Sequence, residues 1–222
     1  FPLTHVISTM FSIFENLLGI SFTKAKGMPA WHEDVFRYEL RDTKSKEIIG
    51  YMFLDLYPRP GKYGHACATQ TSEPRKDEKT GLQKPPVVTL MCNFAKPGKG
   101  TISLLSRYDV ETMFHEFGHA LHFLLSKAEY MSQSAFKTKM DFVEAPSQLL
   151  EHWCWNPRIL GKITKHYKTG LPLSKAKITA LAASENHMEG YGKTRQMVQS
   201  LLSLDIHEQN IPDVRAHFRL LA

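Results

Sequence analysis

The chain has 222 residues, 42% of them hydrophobic and 23% charged, enough for a sizeable core of an ordinary globular protein. Its net charge of +6 comes from scattered lysines, and the densest stretch, "SEPRKDEKTGLQK", mixes both signs. That pattern argues against a nucleic-acid surface, which needs clustered Lys/Arg. The most apolar run, "FPLTHVISTMFSIFENLLGI", is interrupted by His5, Glu15 and Asn16, so a membrane-spanning helix is not expected.

In chain order, Ile7, Met10, Phe11, Phe14, Leu17 and Leu18 recur at helical spacing over Thr4 to Leu18, with Gly19 as a natural stop. "VFRYELRD" and "IIGYMFLDLY" are rich in β-branched and aromatic residues and flank the turn-like "DTKSKE", which predicts a β-hairpin over 35–56. "PRPGKYG" reads as a loop, the polar stretch 71–86 as a mobile one, and "VVTLMCNF" as a third strand. Beyond "AKPGKG" the pattern turns helical. Ser106 and Asp109 supply start signals for a helix reaching about Lys127. A second helix is expected over Asp141–Trp155, ended by Asn156-Pro157, and further ones near 157–168, 174–184 and 187–207. The expected fold is α+β and predominantly helical: a small antiparallel sheet, then a helical body. Cys67, Cys92 and Cys154 are few, odd in number and far apart, which suits free thiols in a reducing compartment.

The chemistry concentrates in "MFHEFGHALHF". His115-Glu116-Phe117-Gly118-His119 is an H-E-x-x-H pattern. On a helix, residues four apart share a face with Cβ atoms about 6 Å apart, so two imidazoles can grip one ion while Glu116 reaches a bound water. The alternative is a helix with two solvated or core-satisfied histidines. Gly118 costs about 1 kcal/mol against Ala in mid-helix, which suggests that another backbone or a ligand passes close by. A catalytic zinc needs a third protein ligand. An antiparallel return of the second helix would bring Glu144 near His119, with Glu151 two turns further on the same face. Asp141, Glu129 and His122 are rivals for that place, and Glu151 reads as a partner of a ligand or a surface charge.

"FHEFGHALH" followed by "DFVEAPSQLLEHW" closely resembles the thimet oligopeptidase, neurolysin and mitochondrial intermediate peptidase family of zinc metallopeptidases. The resemblance extends through "FENLLGISF", "YMFLDLYPRPGKYGHA" and "HYKTG". It implies one Zn²⁺ held by His115, His119 and Glu144, and Glu116 as general base. It also implies short peptides as substrates and a cytoplasmic or, alternatively, mitochondrial location. Tyr63 and His65 in "GKYGHA" would border the substrate channel, against the plainer reading of a turn with a surface histidine. The chain begins at Phe1 and lacks the family's upstream helical lobe and downstream Gly-rich, tyrosine-bearing loop. Residues 1–222 are therefore expected to be part of a catalytic domain, weakly active or inactive alone. The competing function is a non-catalytic helical scaffold or a structural metal site.

Overall fold

The computed structural model describes residues 1–76, 83–128 and 130–222. The described residues form two compact units, Phe1–Ile178 and Thr179–Ala222. Among them, no helix is long and apolar enough to cross a membrane.

The first unit opens with α1, Leu3–Leu18, whose buried face carries Leu3, Val6, Ile7, Met10, Phe11, Ile13 and Phe14. Gly19 ends it in the left-handed region (φ 67°), where its N–H caps the Glu15 carbonyl and only glycine sits without strain. Five strands follow in one sheet: β1 (Ile20–Lys24), β2 (Phe36–Asp42), β3 (Ile48–Asp55), β4 (Cys67–Ser72) and β7 (Val87–Met91). β5 (Arg75–Lys76) and β6 (Gln83–Lys84) pair separately; residues 77–82, within the stretch expected to be mobile, lie outside the described residues.

The hairpin expected over 35–56 is present as β2 and β3. The sheet itself is mixed, not purely antiparallel. Its order is β1-β2-β3-β7-β4, and β3 and β7 run parallel, with Tyr51 opposite Val87 and Asp55 opposite Met91. A parallel pair needs a long crossover. Here the crossover carries β4, which returns antiparallel to β7 and becomes the sheet edge.

α2, Arg107–Leu124, packs on the sheet through a nearly continuous buried face. Its start follows from sequence: the Ser106 side chain accepts from the Asp109 N–H, and Asp109 accepts from the Ser106 N–H, a reciprocal cap. Phe117 joins Phe11 and Phe14 of α1 and Phe22 of β1 in one aromatic cluster, with ring centroids 5.3–5.8 Å from Phe117. This cluster fixes α2 against α1 and β1.

The helix expected over Asp141–Trp155 is two helices, α3 (Met140–Val143) and α4 (Ala145–Trp155), hinged at Glu144. Pro146 accounts for the break. It has no N–H to give a carbonyl of the preceding turn, and it sits in the first turn of α4, where none is needed. α5 (Pro157–Ile163) closes on α1 and α4, shorter than expected, and α6 (Lys175–Ala183) crosses the unit boundary. In the second unit, α7 (Glu189–Glu208) and α8 (Val214–Leu221) are joined by His217 Nε2 and Asp205 Oδ2 at 2.6 Å.

Candidate metal centre

α2 and α4 cross at Gly118. A Cβ there would lie 2.7 Å from Ser147 Cα and 2.8 Å from the Pro146 carbonyl oxygen. The close-passing backbone anticipated from a mid-helix glycine is therefore that of α4. This approach brings the hinge residue Glu144 over the exposed end of the H-E-x-x-H face.

There Glu144 Oε2 stands 3.3 Å from His115 Nε2 and 3.1 Å from His119 Nε2. Donors about 2.0–2.1 Å from one ion at tetrahedral angles stand about 3.3 Å from each other. All three ligand atoms lie within 4.8 Å of one another. Two imidazole nitrogens and a carboxylate oxygen at this spacing fit one divalent ion. Among the rivals, His122 turns to the ring of Phe142, and Glu129 lies outside the described residues. Asp141 is not part of the converging group.

The surroundings prepare the donors. His115 Nδ1 meets Glu151 Oε1 at 2.5 Å. A carboxylate on that nitrogen holds the proton there and leaves Nε2 free to bind. Burial lowers the His119 pKa and favours its neutral, ligating form, despite an opposing pull from Glu144. Burial by itself raises the Glu144 pKa, but the Ser147 hydrogen bond and the neighbouring His119 and His115 outweigh it and lower it.

Glu116, next to His115 in α2, is only 6% exposed and meets the Ala68 N–H near the start of β4. Burial pushes its carboxyl up to about 7; Glu144 adds to the rise, while His115 and a backbone hydrogen bond from Ala68 oppose it. A carboxyl with this pKa sits where a proton acceptor works near neutrality.

Tyr63 and His65 occupy the loop between β3 and β4, both exposed, with their rings 5.6 Å apart. The Tyr63 carbonyl accepts from Asn93 Nδ2 at 3.1 Å. The residue that sequence reasoning missed is Ala68. "CATQTS" has no apolar alternation, so nothing in it marks a strand whose amide faces Glu116. The three cysteines are free thiols, as expected, with Cys92 and Cys154 buried.

A helix-borne H-E-x-x-H pair completed by a carboxylate from elsewhere in the chain is a donor set of H-E-x-x-H metallopeptidases. Comparison with known proteins narrows the class: residues 1–221 match the description "Peptidase family M3". The chain is 38% identical over 213 residues to the thimet-like oligopeptidase of Dictyostelium discoideum, covering 95% of this chain and 32% of that protein. It is 36% identical to oligopeptidase A of Escherichia coli strain K12, covering 96% and 31%. With the mitochondrial intermediate peptidase of Arabidopsis thaliana it shares 34% identity, covering 91% and 29%. The chain belongs to peptidase family M3. It spans about a third of the length of these relatives.

Proposed function

We propose that the chain carries the catalytic centre of a zinc-dependent endopeptidase that hydrolyses short peptides. The observation that carries this reading is the convergence of His115, His119 and Glu144 at 3.1–3.3 Å, with the buried Glu116 alongside. The relatives named thimet-like oligopeptidase and oligopeptidase A support peptides as the substrate class.

A zinc ion bound by the three side chains would polarise the scissile carbonyl and lower the pKa of an attacking water towards about 7. Glu116 takes the proton from that water and later delivers it to the departing amine. Its burial suits both steps, because a carboxyl near pKa 7 accepts and returns a proton at little cost. The His115 ring is fixed through Glu151, and burial favours the neutral form of His119. The β4 edge offers main-chain groups to an extended peptide, which would lie beside Glu116. Tyr63 and His65, in the loop leading into β4, are the side chains we assign to flanking substrate positions. The free thiols suit a reducing compartment, and we place the protein in the cytoplasm, with the mitochondrion as the alternative.

Two measurements test the reading. Wild-type protein should bind one zinc per chain, and His119→Ala should lose it; unchanged metal stoichiometry in the variant defeats the ligand assignment. In the complete protein, Glu116→Gln should keep the metal and cleave a quenched-fluorescent peptide at least about 100-fold more slowly. Retained cleavage removes Glu116 as the base. Coordination closed by a fourth protein ligand, with no position left for water, would favour a purely structural site.

A further inference from the structure

We propose that Ser147 is a positioning residue for the metal centre, and that it aims the Glu144 carboxylate at the point where the two imidazoles converge. This rests on the reading of His115, His119 and Glu144 as ligands. The three donors are held unequally. The two histidines are carried within one continuous helix, so the backbone of α2 fixes their separation. Glu144 is not held in this way. It sits at the hinge between α3 and α4, and its side chain is 46% exposed.

Ser147 supplies what the hinge lacks. It is fully buried, and its hydroxyl lies 2.8 Å from both the Glu144 carbonyl oxygen and Glu144 Oε2. One O–H shared between backbone and side chain of the same residue ties the carboxylate to the first turn of α4. The histidine nitrogens approach that same oxygen, Oε2. Ser147 is itself immobilised by the helix crossing, because its Cα occupies the space a side chain at Gly118 would need. The hydroxyl therefore transmits the Gly118 contact to the carboxylate: the close crossing sets where Ser147 is, and Ser147 sets where Oε2 is. An apolar side chain at 147 would leave Oε2 without this hydrogen bond.

The test compares wild type, Ser147→Ala, Glu144→Gln and the double variant by zinc affinity in chelator competition. Cobalt(II) loading with visible spectroscopy adds a readout of ligand geometry independent of activity. Loss of a hydrogen bond to a ligating carboxylate is expected to weaken zinc by about 10- to 100-fold. Ser147→Ala should show that loss, a changed cobalt spectrum, and a thermal midpoint without metal close to wild type. In the Glu144→Gln background, removal of the hydroxyl should cost little more. Wild-type affinity and an unaltered cobalt spectrum in Ser147→Ala would overturn the proposal while leaving the ligand assignment intact. Equal losses in both backgrounds would likewise overturn it, showing that the hydroxyl acts on the fold instead of on Glu144. If Ser147→Ala does not fold, Ser147→Cys keeps the packing with a weaker donor and should show a smaller loss of the same kind; wild-type affinity there overturns the proposal. A wild-type chain that takes up no metal defeats the ligand reading and this proposal together.

Discussion

His115 differs from His119 in one atom's surroundings, and that difference predicts their sensitivities. Nδ1 of His115 is paired with Glu151, whereas Nδ1 of His119 is buried without a hydrogen-bond partner. His119 is held instead by packing, its ring 6.3 Å from that of Phe136. Removing the carboxylate beside His115 frees the ring to rotate and to adopt the other tautomer. Glu151→Ala should therefore weaken zinc binding by about 10- to 100-fold, and Glu151→Gln, which keeps an acceptor without the charge, by less. Chelator competition on the two variants checks the order, and equal affinities for wild type and Glu151→Ala would remove Glu151 from the centre. This pairing was half legible beforehand, since Glu144 and Glu151 lie seven residues apart and so share a helix face. Which of the two would bind metal was not readable from spacing, because the choice is made by the hinge at Glu144, a tertiary feature.

Between elements, the decisive contact is α2 against α4 at Gly118. Placing Ala there sets two effects against each other. Helix propensity favours Ala over Gly by about 1 kcal/mol. Overpacking a tight contact costs about 1–3 kcal/mol, and the neighbours here are the backbone of Ser147 and Pro146, which cannot rotate away. The clash should win. Gly118→Ala is expected to lower the urea midpoint and to weaken metal binding as α4 is pushed outward; a raised midpoint with unchanged affinity would contradict the crossing described. The α2 cap and the β2–β3 hairpin were readable because each is decided within a few residues. By contrast, "ISFTK" and "CATQTS" become strands through their neighbours: β1 by pairing with β2 alongside Phe11, and β4 by pairing with β7 at the sheet edge. The parallel β3–β7 pair was hidden for the same reason, since its partners are separated by the crossover that contains β4. The split at Pro146 was available from sequence, and the apolar periodicity running through it gave the wrong weight to a continuous helix.

Across the first unit, a buried ionic cluster holds one end of the sheet together. Asp55, at the end of β3, is 2% exposed and takes two bonds from Arg59 at 2.7 Å and one from Trp31 Nε1 at 2.9 Å. Lys62 Nζ lies 3.0 Å from Asp55 Oδ1 and also donates to the carbonyls of Asp55, Tyr57 and Cys92. The end of β3, the following loop and the end of β7 thus share one ammonium, five residues before β4 begins. Burial by itself raises the Asp55 pKa, but the bonds from Arg59, Trp31 and Lys62 outweigh it and bring it down to about 2. A carboxylate depressed in the folded state contributes stability that is complete above its unfolded pKa of about 4. That contribution, about 2 kcal/mol, is lost as pH falls from about 4 through about 2. Asp55→Asn should cost about 3–5 kcal/mol near neutrality, because it leaves Lys62 buried without its counter-charge. The same variant should lose less stability than wild type on acidification across that window. Urea unfolding of both proteins from pH 6 to pH 2 measures the two slopes, and parallel curves would mean that the acid sensitivity of the fold lies in carboxylates other than Asp55.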